Sequence, residues 1–450
     1  MRVARVFHHW CSRRKLALFL VEQSAVALAF AAAVSLFGRS GGVWHVSVGQ
    51  VLAAALAFQV AFYFADLYDL RLAVRDRASG RRLMWGLGVA VLLTSPLALA
   101  PAGGVPHGAV LWGVAAALGA AVASRVALPR LVGAPEPVLV VGDGPRARAL
   151  AQELEASSDV RLQVVGFLDP AASTALASLS SVDAVARDRG ARIVALAAEG
   201  QQLPPALAQG LLRCKLEGLE VLDAATLVER TARRLPVAHL RAGELALSDG
   251  FRTGRVDAAA KRLLDLSASL VLALVSAPLI ALGALLVRLD SPGPIFYRQE
   301  RVGRGGKVFW LTKLRTMRTD AEADGRPVWA RVGDERVTRV GRFLRKTRMD
   351  ELPQILAVVR GDMSFVGPRP ERPFFVERIK QLVPFYELRE AIKPGITGWA
   401  QLRYSYGASV EDARAKLEYD LYYLKNRSLF LDLAIIFHTA RHVITGRGAR

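Results

Sequence analysis

The stretch LSASLVLALVSAPLIALGALLV, from Leu266 to Val287, decides how this chain is organised. Its 22 residues contain no charge, and as a helix they would extend about 33 Å, enough to cross the hydrocarbon core of a bilayer. Basic residues lie on both sides of it, namely Lys261 and Arg262 before it and Arg288, Arg298, Arg301, Arg304 and Lys307 after it. Because basic flanks prefer the cytoplasmic face, both ends are expected on that face.

Pro278 lies near the middle of this stretch. A proline removes one helix hydrogen bond and kinks the chain. A helix that enters the membrane near residue 263, breaks at Pro278 and returns to the same face near residue 288 accounts for the basic flanks and the proline. The alternative is an ordinary span, which would place the rest of the chain on the far side. The flanking charges favour re-entry.

Upstream, four further apolar stretches occupy residues 1–132. They are Leu16–Phe37, Val48–Leu67, Leu83–Ala100 and Ala109–Leu128. Each is near the length that a transmembrane helix needs. Basic residues cluster before the first stretch and between the second and third, which predicts a four-helix transmembrane bundle with both ends in the cytoplasm. A cleaved signal peptide is the alternative for the first stretch, but its apolar part would be too long.

Residues 133–240 alternate between strand and helix patterns. Val138–Val141 precedes Gly142-Asp143-Gly144 and a helical stretch, and further strands are expected at Leu162–Leu168, Arg192–Leu196 and Leu219–Leu222. The pattern predicts a Rossmann-like α/β domain, in which Gly142 and Gly144 would let backbone N–H groups approach a phosphate. Because the segment has only half the length of a dinucleotide-binding domain, a structural or regulatory role is favoured over nucleotide binding.

Composition limits the partners. Sixty Lys and Arg against forty Asp and Glu give a net charge of +20, which favours negatively charged partners. The two cysteines, Cys11 and Cys214, lie far apart and exclude a disulfide framework and a cysteine-based zinc site. A hydrophobic content of 52% excludes a disordered chain.

A basic amphipathic helix is expected over Arg331–Arg348, where Val337, Val340, Phe343 and Leu344 recur at helical spacing among basic residues. Such a helix suits a surface of anionic lipid. Nucleic-acid binding is the competing interpretation, and the adjacent membrane segments disfavour it.

Two adjacent carboxylates, Asp350 and Glu351, follow that helix. One carboxylate would hold Mg²⁺ on a pyrophosphate while the other attacks phosphorus. The alternative is a charge pair that stabilises a helix N-terminus.

Seven motifs follow one another along the second half of the chain. They are KRLLD (261–265), DSPGP (290–294), RQERVG (298–303), KLRTM (313–317), MDELPQ (349–354), GDMSFVGPRP (361–370) and KPGITGWAQ (393–401). Over Val256–Arg450 they resemble the bacterial sugar transferases, the polyprenyl-phosphate hexose-1-phosphate transferases of the monotopic phosphoglycosyl transferase class. The upstream bundle and Rossmann-like domain resemble the long members, and the residues from Cys214 to Phe251 resemble the exopolysaccharide branch associated with PEP-CTERM and exosortase loci.

The resemblance implies a fold and a domain order. The fold class is a membrane α-helical bundle, an α/β Rossmann-like domain and a mainly α monotopic catalytic domain with a re-entrant membrane helix. The expected limits are 1–132 for the bundle, 133–240 for the Rossmann-like domain, 241–260 for a linker and 261–450 for the catalytic domain, with the re-entrant helix at about 263–288. The expected location is the bacterial inner (cytoplasmic) membrane, with several spans and the catalytic domain on the cytoplasmic face.

The resemblance also implies an activity and its residues. It implies transfer of hexose-1-phosphate from a UDP-sugar to undecaprenyl phosphate with release of UMP, through a covalent intermediate on Asp350 and with Mg²⁺ held by Glu351. Further positions match the family's site and its membrane anchor. They are Arg345 for phosphate, Pro368, Arg369 and Pro370 for the shape of the site, and Lys261, Arg262, Asp265 and Pro278 for the membrane helix.

Two departures from the family pattern affect the site. The Ser-Pro pair of the family's membrane helix is Ala277-Pro278 here, and Leu402-Arg403-Tyr404 replaces the common Asn-Gly-Arg. Arg403 is therefore a candidate contact for the nucleotide phosphates. Asp420 is a further candidate for the nucleotide or metal site, with a structural role in its helix as the alternative.

An enzyme that begins exopolysaccharide assembly on a lipid carrier is the favoured interpretation. The alternatives are a degenerate transferase that senses nucleotide sugars and a scaffold of a polysaccharide export complex. The expected partners are a UDP-sugar, undecaprenyl phosphate and the membrane, with no nucleic acid, and a homo-oligomer is compatible with these expectations. The sequence does not indicate which sugar is transferred.

Overall fold

The structure is a computed structural model. It describes residues 3–6, 9–37, 48–65, 78–99, seven residues between 112 and 123, and residues 135–142, 144–156, 162–168, 182–197, 203–237, 240, 242–251, 254–321, 334–404, 407 and 409–444.

Contacts divide the chain into two compact units. Most residues up to Leu227 form the first unit, and Val228–Arg450 form the second together with Phe7–His9. The division falls inside the helix Ala224–Ala232, earlier than the linker expected at 241–260. The predicted limits at 132, 240 and 260 stay predictions.

The first unit begins with two short strands and three apolar helices. These are β1 (Val3–Val6), β2 (His9–Ser12), α1 (Arg13–Phe37), α2 (Val48–Phe64) and α3 (Ala78–Leu99). Phe58 and Phe62 of α2 are fully buried among small residues such as Ala54 and Ala90, whereas Leu28 and Leu92 are exposed. Three of the four predicted apolar stretches are therefore helices, and the fourth lies mostly outside the described residues. That these helices span a membrane stays a prediction.

A parallel sheet forms the rest of the first unit. Its elements are β3 (Glu136–Val141), α4 (Pro145–Ala156), β4 (Leu162–Leu168), α5 (Val182–Asp188), β5 (Ile193–Leu196), α6 (Pro205–Leu216), β6 (Glu220–Asp223) and α7 (Ala224–Ala232). The strand order is β4-β3-β5-β6 and all neighbours are parallel, which confirms the predicted strands. This is the order of a flavodoxin-like doubly wound sheet.

The glycine turn after β3 packs closely against the ends of the neighbouring strands. Gly142 has a φ of +134°, and a Cβ there would lie 3.1 Å from the carbonyl carbon of Ala197. The N–H of Gly142 donates to the carbonyl of Leu168 at 2.7 Å, and the carbonyl of Gly144 accepts from the N–H of Arg148 at 3.2 Å. These contacts give the turn a structural reason for its glycine. Asp143 lies outside the described residues, and phosphate binding at Gly142 and Gly144 stays a prediction.

The second unit is mainly helical, with two small sheets. Its elements are α8 (Ala242–Leu247), α9 (Arg255–Asp290), β7 (Phe296–Val302), β8 (Val308–Leu314), α10 (Arg339–Thr347), α11 (Ile355–Arg360), β9 (Ser364–Val366), α12 (Pro373–Leu382), β10 (Gly395–Thr397), α13 (Trp399–Arg403), α14 (Val410–Lys425) and α15 (Leu429–Ile444), with 3₁₀ turns at Arg304–Gly306, Met349–Gln354 and Tyr386–Ala391. Strands β7 and β8 pair antiparallel, and β9 and β10 pair parallel.

The decisive apolar stretch lies within α9, which has 36 residues and remains helical through Pro278. The prediction of a helix interrupted at Pro278 is wrong in that respect, because a proline removes only one backbone hydrogen bond and an apolar segment gains by keeping the others. Among the described helices, α9 alone is long and apolar enough to cross a membrane, and only 17% of its most apolar window is buried.

One narrow face of α9 is buried along its length. It comprises Asp265, Ser269, Ser276, Gly283 and Val287, whose spacings approximate whole helical turns and so align them on one side. The first half of α9 contacts β9 and α11, and the second half contacts β8 and α10. Both sides of the proline therefore pack on the same folded unit, and the return of the chain to the same membrane face stays a prediction.

The basic helix is shorter than expected. Helix α10 covers Arg339–Thr347, and its N-cap Thr338 accepts a hydrogen bond from the N–H of Gly341 at 2.9 Å. Val337 lies in an antiparallel bridge with Met317 instead of in the helix. The cap explains the correction, because a threonine hydroxyl that satisfies a free N–H group begins the helix after residue 338.

The packing of α9 predicts the effect of enlarging Gly283. A Cβ at this position would lie 2.8 Å from Cδ1 of Leu314, which is buried. We expect Gly283→Val to lower the free energy of unfolding by about 1–3 kcal/mol through overpacking. Ala281→Val, on the exposed face of α9, is the matched control and should change little. Thermal unfolding in detergent measures both, and equal melting temperatures for the two variants would contradict the packing.

Candidate active site

The predicted carboxylates lie on the 3₁₀ turn Met349–Gln354. Helix α10 ends at Arg348, whose φ of 58° is left-handed and redirects the chain into the turn. The turn also packs on β8. Since a 3₁₀ turn advances about 120° per residue, the adjacent side chains of Asp350 and Glu351 point in different directions.

Glu351 is surrounded by cations. Its Oε1 accepts hydrogen bonds from Nζ of Lys313 at 3.0 Å and from Nη2 of Arg369, and its Oε2 lies 3.6 Å from Nη1 of Arg348. Burial alone would raise the pKa of Glu351, but Arg369, Lys313 and Arg348 together hold it well below its usual value. Glu351 is therefore charged at neutral pH, and one of its oxygens is fully engaged.

Asp350 differs from Glu351 in its contacts and in the direction of its pKa shift. Its side chain is buried, yet within the described part of the chain its carboxylate has no hydrogen bond and no ion pair. Burial and the charge of Glu351 raise the pKa of Asp350 to about 6, against the opposing charges of Lys313, Arg345 and Arg369. A buried, poorly solvated carboxylate with a raised pKa is a stronger nucleophile than an ordinary aspartate.

Arg345, the predicted phosphate ligand, is positioned by one hydrogen bond. Its Nε donates to Oγ1 of Thr316 at 2.9 Å, and its charge lowers the pKa of the nearby Asp350. Within the described residues its terminal nitrogens have no partner. They could donate to a phosphate beside Asp350, and that contact stays a prediction.

The loop Pro368–Pro370 is held by all three of its carbonyl groups. They accept hydrogen bonds from the N–H of Gly395 at 2.9 Å, from Nη2 of Arg389 at 2.8 Å and from Nη1 of Arg301 at 2.9 Å. The side chain of Arg369 then reaches Glu351. The predicted role of this loop in shaping the site rests on this arrangement.

Two motifs that are separate in sequence become neighbours through β9 and β10. Residues Ser364–Val366 pair with Gly395–Thr397 in parallel. A Cβ on Gly395 would collide with the backbone of Gly367, so a glycine is required where the strands approach. Nη1 of Arg369 donates to Oε1 of Gln401 at 3.2 Å, which ties the second motif to the site.

The predicted membrane anchors attach the start of α9 to this same framework. Nζ of Lys261 lies 3.0 Å from Oδ2 of Asp432 and 3.1 Å from Oδ1 of Asp265, and it donates to the carbonyl of Val366 at 3.3 Å. Arg262 donates to the carbonyls at the end of α11 at 2.7 and 2.8 Å. These contacts attach the start of α9 to α11 and to β9, the strand that precedes the loop Pro368–Pro370.

Two candidates lie away from the carboxylate pair. The guanidinium of Arg403 lies 4.5 Å from the ring centroid of Trp399. Asp420 is buried, and its Oδ2 lies 3.1 Å from Nη2 of Arg389. Burial raises the pKa of Asp420 to about 6, against the charge of Arg389. Among the described residues Asp420 makes no contact with Glu351, and the contacts of Arg403 and Asp420 with substrate stay predictions.

The sequence motifs gave no role to Lys313, Arg348, Arg389 or Gln401. A signal for Lys313 was present, because strand alternation places it on the same face as the buried Phe309 and Leu311. Arg348 also had a local signal, because it lies three residues before its partner Glu351. Arg389 and Gln401 had none, since Asp420 and Arg369 lie far from them in the chain.

A magnesium ion is compatible with these residues. The described residues contain no group of three or more His, Cys, Asp or Glu side chains that could hold a metal ion. A magnesium ion bound by one or two carboxylates and by substrate phosphates needs no larger group. Oε2 of Glu351, whose partner among the described residues is the exposed Arg348 at 3.6 Å, is the oxygen that could bind such an ion.

Comparison with known proteins finds similarity over a region that includes most of the second unit. Residues 256–446 match the bacterial sugar transferase family. A UDP-N-acetylgalactosamine-undecaprenyl-phosphate N-acetylgalactosaminephosphotransferase of Aeromonas hydrophila is 41% identical over 240 residues, which cover 53% of this chain and 56% of that protein. A UDP-glucose:undecaprenyl-phosphate glucose-1-phosphate transferase of Caulobacter vibrioides is 45% identical over 188 residues, which cover 41% of this chain and 70% of that protein.

A third relative is shorter. The exopolysaccharide production protein PSS of Rhizobium leguminosarum bv. phaseoli is 41% identical over 199 residues, which cover 43% of this chain and 100% of that protein. The aligned part of the present chain thus spans just over half of the Aeromonas relative and all of the Rhizobium relative.

The environment of Asp350 predicts its titration. Since its pKa is raised to about 6, its carboxyl should gain a proton as the pH falls through that value and not near the ordinary value of about 3.9. We expect Arg369→Gln to move the midpoint to higher pH, because one stabilising cation is lost. Arg360→Gln, an exposed control on α11, should leave it unchanged. NMR of carboxyl-labelled aspartate, assigned with Asp350→Asn, measures the midpoint, and a value near 4 would contradict the burial.

Proposed function

The chain belongs to the bacterial sugar transferase family, and from that premise we propose that it transfers a sugar-1-phosphate from a UDP-sugar to a polyprenyl phosphate, with release of UMP. The names of the Aeromonas and Caulobacter relatives describe reactions of this kind. Those two names specify different sugars, so the proposal stops at a hexose-1-phosphate.

The observation that carries the proposal is the contrast between two adjacent carboxylates. Glu351 is engaged by Lys313 and Arg369, while the buried carboxylate of Asp350 has no hydrogen bond or ion pair among the described residues. Carboxylates whose environments separate their pKa values commonly have different roles in a reaction. We assign nucleophilic attack to Asp350 and charge organisation to Glu351.

In the first half-reaction an oxygen of Asp350 attacks the phosphorus that bears the sugar. A new oxygen–phosphorus bond forms on Asp350, the bond from that phosphorus to the bridging oxygen breaks, and UMP leaves with the bridging oxygen and its electron pair. Negative charge increases on the leaving phosphate, and Arg345 and Arg369 are positioned to stabilise it. Such preorganised charge lowers the barrier more than the same charges in water would.

In the second half-reaction a phosphate oxygen of the polyprenyl phosphate attacks the same phosphorus. The bond from Asp350 to phosphorus breaks, the carboxylate is regenerated, and a polyprenyl diphosphate sugar is released. A magnesium ion held through Oε2 of Glu351 would supply positive charge to the donor's pyrophosphate.

The membrane helix gives a reason for a lipid-linked acceptor. The outward face of α9 exposes large apolar side chains, among them Leu274, Leu282 and Leu285. The opposite face packs on the unit that contains Asp350. An acceptor whose phosphate lies at the surface of a bilayer could therefore reach the site without leaving the lipid, and this supports a place for the enzyme at the cytoplasmic membrane.

The covalent route predicts a mass change before any acceptor is added. Incubation of the purified protein with a UDP-hexose alone should release UMP and add one hexose-phosphate to Asp350, measured by intact-protein and peptide mass spectrometry. Asp350→Asn should form no adduct and lose both half-reactions, because the amide is not a nucleophile. Asp362→Asn is the matched control, since Asp362 is an exposed aspartate of the same unit to which we assign no role in the reaction.

Two results would contradict this route. Turnover by Asp350→Asn at the wild-type rate would show that the nucleophile is misassigned. UMP release that requires the lipid acceptor, with no adduct on the protein, would show direct attack by the lipid phosphate. A panel would contain the UDP derivatives of glucose, galactose and their N-acetylated forms. If none of them gives UMP, either with or without the lipid acceptor, the sensor or scaffold interpretation is favoured.

The re-entrant topology predicts labelling from one side. A cysteine placed at Gly305, after α9, should be protected from a membrane-impermeant reagent in intact cells and labelled in inverted vesicles. A cysteine at Gly80, between the second and third apolar stretches, should behave in the same way, because both loops are rich in basic residues. Labelling of the Gly305 site in intact cells would show that α9 crosses the membrane and would place the carboxylate pair outside the cytoplasm.

A further inference from the structure

A buried arginine supports the site from behind the loop Pro368–Pro370. The side chain of Arg389 is only 9% exposed, and its guanidinium contacts three described groups. It lies 3.1 Å from Oδ2 of Asp420, it donates to the hydroxyl of Tyr386 at 2.6 Å, and it donates to the carbonyl of Arg369 at 2.8 Å. The last contact joins it to a residue of the site.

The two prolines of the loop Pro368–Pro370 make its carbonyl groups the main means of holding it in place. Proline has no N–H group, so Pro368 and Pro370 cannot donate a backbone hydrogen bond. Their rings restrict the backbone dihedral angles. The position of the loop therefore depends on the hydrogen bonds that its carbonyl groups accept. The carbonyl of Arg369 therefore depends on Arg389, and the direction of the Arg369 side chain depends on that carbonyl.

We propose that Arg389, oriented by Asp420, is a positioning residue that holds the backbone of Arg369 so that its guanidinium stays on Glu351. The inference rests on the proposed function, because it assigns these residues a part in the same reaction. It gives Asp420 a role other than contact with nucleotide or metal. Neither Arg389 nor Asp420 touches the substrate in this proposal.

The positions of the three groups around Arg389 explain why an arginine paired with an aspartate suits this place. An arginine presents a planar set of donors, and here one guanidinium serves a carboxylate, a hydroxyl and a carbonyl at the same time. A lysine would reach one or two of these groups but could not keep their relative directions. Asp420 offsets the burial of the positive charge and leaves the remaining donors free to face the loop.

A purely structural ion pair is the competing explanation, and the same helix provides a control for it. Glu418 of α14 is also buried, and it pairs with Arg234 and accepts from the N–H of Val237 at 3.0 Å. Among the described residues, Glu418 makes no hydrogen bond or ion pair with the loop Pro368–Pro370 or with Glu351. Loss of either pair should destabilise the unit, but only loss of the first should disturb the site.

The test compares Arg389→Lys, Asp420→Asn and Glu418→Gln in the full-length protein in lipid nanodiscs. The measured quantities are the thermal unfolding temperature and the rate of UMP release with saturating UDP-hexose and no acceptor, per folded molecule. We expect Arg389→Lys and Asp420→Asn to slow release roughly 10- to 100-fold, the usual loss when a supporting contact is removed from a site. Glu418→Gln should lower the unfolding temperature and leave the rate per folded molecule unchanged.

A double-mutant cycle separates positioning from stability. If Arg389 acts through Arg369, the rate losses of Arg389→Lys and Arg369→Lys should not multiply when the two changes are combined. Arg389→Gln should be slower than Arg389→Lys, because only the lysine keeps a positive charge near Asp420. Should Arg389→Lys fold poorly, Asp420→Asn takes its place in the cycle, since the amide keeps an acceptor for the guanidinium.

The possible outcomes are distinct. A wild-type rate per folded molecule for both Arg389→Lys and Asp420→Asn, or losses that multiply with Arg369→Lys, would overturn the positioning role while leaving the proposed function intact. Equal rate losses in Glu418→Gln would show that any buried ion pair of α14 has this effect and would also overturn it. A wild-type protein that releases no UMP, with the lipid acceptor as well as without it, would overturn the proposed function, and this inference with it. Release that requires the acceptor would overturn only the covalent route, and the same variants would then be compared with the acceptor present.

Discussion

The ion cluster around Glu351 is the interaction on which the second unit depends most. It brings together Lys313 from β8, Arg369 from the loop after β9 and Arg348 at the end of α10. Removing a buried charge from water is expensive, and each partner here offsets the cost of the others. Without Glu351, the charges of Lys313, Arg369 and Arg348 would repel one another, so one carboxylate holds three separate segments together.

This cluster also gives two chemically similar neighbours different properties. The cations engage Glu351 and lower its pKa, and the resulting fixed negative charge raises the pKa of Asp350, which is itself buried. A single turn of 3₁₀ helix is enough to point the two side chains toward different environments. The reactivity proposed for Asp350 is thus a property of the cluster, and the residue type alone would not supply it.

Helix α9 is hydrogen-bonded to the strand that leads into the candidate site. Asp265 of α9 accepts hydrogen bonds from the hydroxyl of Ser364 and the N–H of Phe365, both at 3.0 Å. These residues belong to β9, which leads directly into the loop Pro368–Pro370. The helix that would lie in lipid is therefore rigidly connected to the loop that positions Arg369. Under the proposed function, a lipid-linked substrate and a nucleotide would meet at a site that these hydrogen bonds attach to α9.

The sequence by itself determined the elements and the family. The uncharged run Leu266–Val287 required an apolar helix, the alternation of strands and helices required a parallel sheet, and the order of the motifs identified the transferase unit with Asp350 and Glu351 in it. Only the tertiary structure decided which cations meet Glu351, that α9 stays helical through Pro278, and that Asp420 pairs with Arg389. The reason is physical: periodicity and turn chemistry act between neighbours in the chain, whereas burial and charge pairing depend on segments that meet only after folding.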